Sequence, residues 1–311
     1  MRAGGAAVAA GAVAGGAALI HSNEPLKKKG ELGGYGPRSF AVRRAPGKPR
    51  TVMVRGGSPA ERIEKAFEEL GGLNHFVKSG DKVLIKPNMA WDRTPEYAAN
   101  THPEVVDMVI RMCLDIGTEV VVAENPVNEP GLCAESSGIA AVCKRLAVPL
   151  LTPGKNDFVQ AKIKGKALES WPVMKALYDS DKVINLPIAK HHSLSRVTCA
   201  LKNWLGIAGG RRMMLHQNIH ETIVDLVEAF TPTLSLVDAS RVLVRNGPTG
   251  GRMADVETSD ISVAGLDAAT VDVAVLPLLG AYLTEARHVT EALARGLGTS
   301  DMQSVHRVDL G

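Results

Sequence analysis

From residue 51 onward, short apolar runs alternate with stretches of helical period, and this alternation limits the fold more than any other feature of the chain. TVMVR at 51–55, KVLIK at 82–86, EVVVA at 119–123 and KVINL at 182–186 have strand length and strand composition. A short run near Leu150, LSLV at 234–237 and ISVA at 261–264 join them. Between them the spacing predicts helices over Ser58–Leu70, Pro103–Ile116, Ser136–Leu146, Asn218–Phe230, Ala268–Leu279 and Glu285–Arg295. Ser58 stands as cap of the first, with Pro59 at the first helical position. Strands separated by helices are joined by crossovers, so the pattern predicts an α/β fold: a mostly parallel sheet with helices on both faces.

The expected division has four parts. Residues 51–298 form a single α/β domain, and 299–311 a C-terminal tail. Residues 25–50 are rich in Gly, Pro and basic residues, which reads as a linker. Residues 1–24 form a signal-like Ala/Gly segment. The run RAGGAAVAAGAVAGGAALI at 2–20 is weakly apolar, so no permanent membrane span is expected from it. Its low hydropathy resembles twin-arginine export signals more than general secretory ones, although only Arg2 precedes the run. Export to the periplasm is the expectation; a low-complexity tail on a cytoplasmic protein is the alternative.

Composition excludes several functions. A net charge of +3 without a long basic block, and aromatic residues at 4%, give no nucleic-acid surface. The cysteines Cys113, Cys133, Cys143 and Cys199 are widely spaced, so no thiolate zinc or iron–sulfur site is expected. Cys113 and Cys143 fall beside apolar residues on helix faces and read as buried thiols. The nucleophile-elbow pattern G-x-S-x-G is absent, and no G-x-G-x-x-G opens a helix after the first strand.

In open α/β sheets, ligands bind beyond the carboxyl ends of the strands. Polar residues follow four of the strands here: Lys86-Pro87-Asn88, Glu124-Asn125-Pro126, Lys190-His191-His192 and Asp238. These stretches also carry a family resemblance. VLIKPN at 83–88, THPEVV at 101–106, VVVAEN at 120–125, KVINLPIAKHH at 182–192, LKNWLG at 201–206, His216, LVDA at 236–239, NGPTGG at 246–251 and AGLDAATVDVAVLPLLG at 264–280 occur in one order. In that order the chain resembles the domain of unknown function 362 family over roughly residues 51–280. The family name records no assigned reaction. Some members carry ferredoxin-like clusters, but this chain has no cysteine-rich insert, so that chemistry is not carried over.

Lys86, Lys190 and Lys202, with Asn88 and Asn203, are the expected substrate-binding residues. Converging ammonium groups suit a small carboxylate or phosphate. Arg211 and Arg212 stand ready to close over it. His102, His191 and His216 are the candidate proton-moving residues. Thr101 competes with His102 as the helix cap. His191 and His192 point to opposite faces of an extended segment, so one of them shares the face of Lys190. A divalent metal is a further option, with His191, His216 and Asp238 as ligands and Asp267 or Asp272 as alternatives. Asn218 followed by Glu221 reads as a helix cap with its partner, which puts His216 outside the helix. A buried Asp272 requires a lysine, a metal or a helix terminus. NGPTGG serves an anion only if it lies near the lysines. Three functions remain open on these residues: an exported enzyme acting on a small anionic substrate, with or without a metal; a non-catalytic periplasmic ligand- or metal-binding protein; and a structural partner.

Overall fold

The computed structural model describes residues 34–311, and the Ala/Gly segment read as a signal lies outside the described residues. The strands are β1 (Thr51–Arg55), β2 (Lys82–Pro87), β3 (Glu119–Ala123), β4 (Leu150–Leu151), β5 (Phe158–Lys162), β6 (Ser170–Met174), β7 (Lys182–Leu186), β8 (Ile188–His192), β9 (Arg196–Thr198), β10 (Leu234–Leu243), β11 (Val256–Gly265) and β12 (Val305–Asp309). The helices are α1 (Pro59–Leu70), α2 (Leu73–Phe76), α3 (Pro103–Ile116), α4 (Pro130–Ser136), α5 (Ile139–Arg145), α6 (Ala200–Asn203), α7 (Ile219–Ala229), α8 (Ala268–Val275) and α9 (Arg287–Ala294).

Ten strands form one sheet in the order β12-β1-β11-β10-β7-β2-β3-β4, with β8 beside β10 and β9 beside β8. Six of its pairings are parallel, and three, β1·β11, β10·β11 and β8·β9, are antiparallel. The sheet is therefore mostly parallel but mixed. The period-2 alternation of each strand divides two cores. Val83 and Ile85 of β2 and Ile184 of β7 face α1, α3 and α5, while Leu84 and Val183 face the side of α6–α9. Lys86 follows Leu84 by two residues and Asn185 follows Val183 by two, so both point to the α6–α9 side. They are paired across the sheet, Lys86 opposite Asn185.

From β2 the chain moves outward to β3 and β4, whereas from β7 it moves the other way, to β10. Neighbouring strands whose continuations part in this way open a crevice at their carboxyl ends. Pro87 and Pro187 lie at the ends of these two strands, and neither can donate to a ladder, so the crevice stays open.

Local chemistry explains several elements. Ser58 accepts from the Glu61 amide while the Glu61 carboxylate accepts from the Ser58 amide, a reciprocal box that starts α1 behind Pro59. The expected helix over 136–146 is α5, which starts at Ile139 behind Gly138, whose left-handed φ of 77° separates it from α4. Asn218 makes no side-chain cap to α7, so the expected pairing with Glu221 does not form, although His216 does lie outside the helix. Trp204 is fully buried and donates to the Phe230 carbonyl at 2.7 Å, as a core residue.

Two expected boundaries move. The stretch read as a linker is packed from Tyr35 onward. Phe40 is buried, the Arg38 and Phe40 amides donate to Ala229 and Thr231, and the Arg38 guanidinium donates to the Tyr178 carbonyl at 2.6 Å. The stretch read as a C-terminal tail contains β12, which pairs with β1 along five residues. Both corrections have one cause: short polar-rich segments take regular structure when an existing surface or open strand edge satisfies their backbone. The β5–β6 hairpin, without an obvious alternation, forms for the same reason. Its Trp171 donates to Gly209 at 3.0 Å and its Val173 bridges to Ala208, which anchors the loop leading to Arg212. All four cysteines are free and buried, and burial pushes Cys113 up to about 12 and Cys143 up to about 11.

Candidate functional site

The polar residues that end β2, β3 and β7 meet α6 in the crevice. Asn203 of α6 donates to the Lys86 carbonyl at 3.2 Å and to Asn185 Oδ1 at 2.8 Å. Its Oδ1 accepts from Asn88 Nδ2 at 3.0 Å. Asn88 Oδ1 accepts in turn from Lys190 Nζ at 3.0 Å, and Lys190 also donates to the Ala99 carbonyl. Thr101 is not the cap of α3. Its hydroxyl donates to the Leu186 carbonyl and accepts from the Asn88 amide, tying the loop after β2 to the end of β7. These contacts fix the five expected binding residues in one place, with Lys202 on the same short helix as Asn203.

Lys86 is fully buried, and Glu124, which directly follows β3, receives its ammonium at 2.6 Å. Burial lowers the Lys86 pKa and Glu124 raises it back in part. Gly206 makes room for this pair: a Cβ there would stand 2.6 Å from Lys86 Nζ and closer still to Glu124 Oε1. Arg212 closes over the same end, donating to the Asn125 carbonyl at 2.6 Å and to the Pro126 carbonyl.

Lys202 is different from its neighbours. It is partly exposed and has no hydrogen-bond or ion-pair partner among the described residues, and burial, followed by the repulsion of Arg212, lowers its pKa from 10.5 to about 7. Its charge is felt by Lys190, His192, His216 and His288, each of which it pushes down. Lys190 is lowered well below the usual lysine range, first by burial and then by Lys202. Opposite Lys190 in the β8–β9 ladder stands Thr198, whose buried hydroxyl has no protein partner. Within this group Glu124 is the carboxylate that acts on the cations, and Lys86 already holds it.

The histidines sort by strand alternation. His192, two residues from Lys190, lies on the site side. Burial lowers its pKa to about 2, followed by Lys202 and Lys190. Its Nδ1 accepts from the Leu194 and Ser195 amides, which places the ring proton on Nε2. His191 lies on the opposite face and accepts from the Gly247 amide at 3.2 Å, so of the two it is His192 that shares the face of Lys190. The 246–251 loop therefore spends an amide on His191. His216 ends a 3-10 turn at Arg212–His216 and lies within electrostatic reach of Lys202. His102 caps α3 by accepting from the Glu104 amide at 3.4 Å, which occupies its Nδ1.

The expected metal ligands do not gather. Asp238 accepts from the His102 and Ser240 amides, and Asp267 accepts from Arg50 Nε and Nη2, each at 2.6 Å. Asp272 meets a helix terminus: it accepts from the Ala200 and Leu201 amides at 2.6 and 3.2 Å and so starts α6. Burial pushes the Asp272 carboxyl up to about 7. Among the described residues no group of three His, Cys, Asp or Glu side chains could hold a metal ion. His191, His216 and Asp238 fail as a set because strand alternation and backbone capping send them to different partners.

Asn185 and Gly206 were absent from the expected site, and Glu124 and His192 stood at its strand ends without an assigned role. Asn185, Glu124 and His192 had a signal, since each follows an apolar strand run on the face of a residue already singled out. Gly206 had none, because its role exists only through the distance to Glu124.

A mostly parallel mixed sheet with helices on both faces and polar residues at its strand ends defines an α/β fold. The chain belongs to the family described as Domain of unknown function (DUF362), whose match spans residues 83–277 and so includes every residue of the crevice from Lys86 to Asp272. It is similar to the Thylakoid-associated protein sll1697 of Synechocystis sp., with 29% identity over 237 residues, covering 73% of this chain and 70% of that protein. It also resembles the lactate racemase apoprotein from Thermoanaerobacterium thermosaccharolyticum, with a TM-score of 0.47 and 11% identity. That likeness covers 69% of this chain and 54% of the other, so the chain spans about half the length of that structure. No helix among the described residues is long and apolar enough to cross a membrane.

Proposed function

We propose that this protein is an enzyme that binds a small carboxylate or phosphate at the strand-end crevice and moves a proton with Lys202. The observation that carries the reading is Lys202 itself: an ammonium with no protein partner among the described residues, set beside Lys190, Arg212 and His216. A structural lysine in such a place would be paired, as Lys86 is with Glu124. A bound anion supplies the missing charge. With a pKa near 7, the Lys202 amine is divided between base and acid at neutral pH, the condition under which one group both takes and returns a proton. Asn88 and Asn203 are spent holding the lysines in register, so they position rather than react.

The test is binding and exchange on the same protein. Titration calorimetry with inorganic phosphate and with small carboxylates should show binding that Lys202→Met weakens by about tenfold or more. In D2O, NMR should show deuterium entering a carbon-bound position of a bound carboxylate, with the signal lost in Lys202→Met and not restored by Lys202→Arg, which cannot give up its proton. Binding without exchange across the panel would leave a non-catalytic anion-binding protein. Absence of any anion binding would end both readings.

A further inference from the structure

We infer that the stacked pair His220–His288 is a hydroxyl-recognition subsite that selects, among small anions, those carrying an alcohol group. The inference rests on the anion-binding reading of Lys202 and adds a substrate class to it. His288 lies on α9 and His220 on α7, two helices packed on the same side of the sheet as Lys202. Their rings are stacked, with centroids 6.1 Å apart and planes 16° from parallel.

Three of their four ring nitrogens are buried without a protein partner: both of His288 and Nδ1 of His220. His288 is 0% exposed. A neutral imidazole carries one N–H donor and one lone pair. Native interiors leave few such groups unmatched, and a cluster of them marks a place where something else completes the bonding. Burial, then His220, then Lys202 hold His288 in its neutral form. The influence of Lys202 also places the ring within electrostatic reach of the proposed anion site.

The chemistry of the orphan atoms narrows what they recognise. A second carboxylate offers only acceptors and would leave the lone pairs unmet. A metal ion needs further ligands, and no group of three suitable side chains exists among the described residues. An alcohol donates and accepts at once, which matches an N–H beside a lone pair.

The experiment compares matched anions that differ by one hydroxyl, succinate against malate and glutarate against 2-hydroxyglutarate, by titration calorimetry on the full chain. The wild type should bind the hydroxylated member at least about tenfold more tightly, because a site built to bond a hydroxyl rejects the analogue lacking it. In His288→Phe the ratio should fall to about one while succinate affinity is retained. Equal binding of both members by the wild type overturns the inference without any variant, so a folding defect in His288→Phe cannot hide the result. A preference that survives in a folded His288→Phe also overturns it. If neither member of any pair binds, the anion reading fails and this inference goes with it; equal binding defeats the hydroxyl subsite alone.

Discussion

Replacing Lys202 by methionine should make the ligand-free protein more stable and at the same time deprive it of stabilisation by anions. The pKa of Lys202 falls from 10.5 to about 7, so its charge is held in the folded state against its preference. A tenfold change in proton affinity is worth about 1.4 kcal/mol, which sets a ceiling of about 5 kcal/mol on that cost. Lys202 is partly exposed, and solvent screening brings the expected value to about 1–3 kcal/mol. The sign follows from proton counting. Between pH 7 and 10.5 the unfolded chain holds a proton that folded Lys202 has released, so wild-type stability gains as pH rises through this window. The advantage of Lys202→Met is therefore full below about pH 7 and fades toward pH 10.5. Urea-unfolding midpoints read it directly. Phosphate at about 100 times its wild-type Kd should then add about 2.7 kcal/mol to the wild type and at most about 1.4 kcal/mol to the variant, whose affinity is about tenfold or more weaker. A variant that is equally or less stable than the wild type at about pH 6 would refute the reasoning, because Lys202 would then be compensated by a partner.

Gly206→Ala should lower stability by about 1–3 kcal/mol, since the added methyl collides with the Lys86–Glu124 pair; an unchanged thermal midpoint would contradict this. Asp272 is pushed up from 3.8 to about 7, so folded Asp272 keeps a proton that the unfolded chain has lost across that window. Its contribution is full below pH 3.8 and is lost as pH rises through 7. Asp272→Asn should accordingly flatten the wild-type decline by about 1–3 kcal/mol, measured by denaturant unfolding at several pH values. A decline that persists unaltered in the variant assigns it to another group.

The crevice was legible where buried strands end in polar residues. Lys86, Asn88 and Lys190 each follow an apolar run, and a charge in such a position must have a reason. The choice between His191 and His192 was also present in the alternation, which pairs His192 with Lys190. Asp272 announced a need for partners without naming them, and a helix start answered it. Other features lay beyond reach because they exist only through distant contacts. The segment from Tyr35 to Phe40 takes shape against residues 100 or more positions away, the β5–β6 hairpin against Ala208 and Gly209 further along the chain, and both leave weak periodic traces. The strands β10 and β11 were each recognised by their apolar halves, and their polar outer halves, which extend the antiparallel pairing, were not. His288 looked like any helix residue until its ring was found without a partner.

The position of β1 has a consequence for how the protein is made. Its two neighbours are β11 and β12, about 200 and 250 residues later in the chain. A ribosome therefore delivers this strand long before anything exists to bond it, and both of its edges stay bare during most of synthesis. Translation can complete α1 and α3 early, but the left half of the sheet must wait for the final strands to emerge. Such distant pairing makes slow maturation the expectation, with the half-made chain prone to sticking to its own kind.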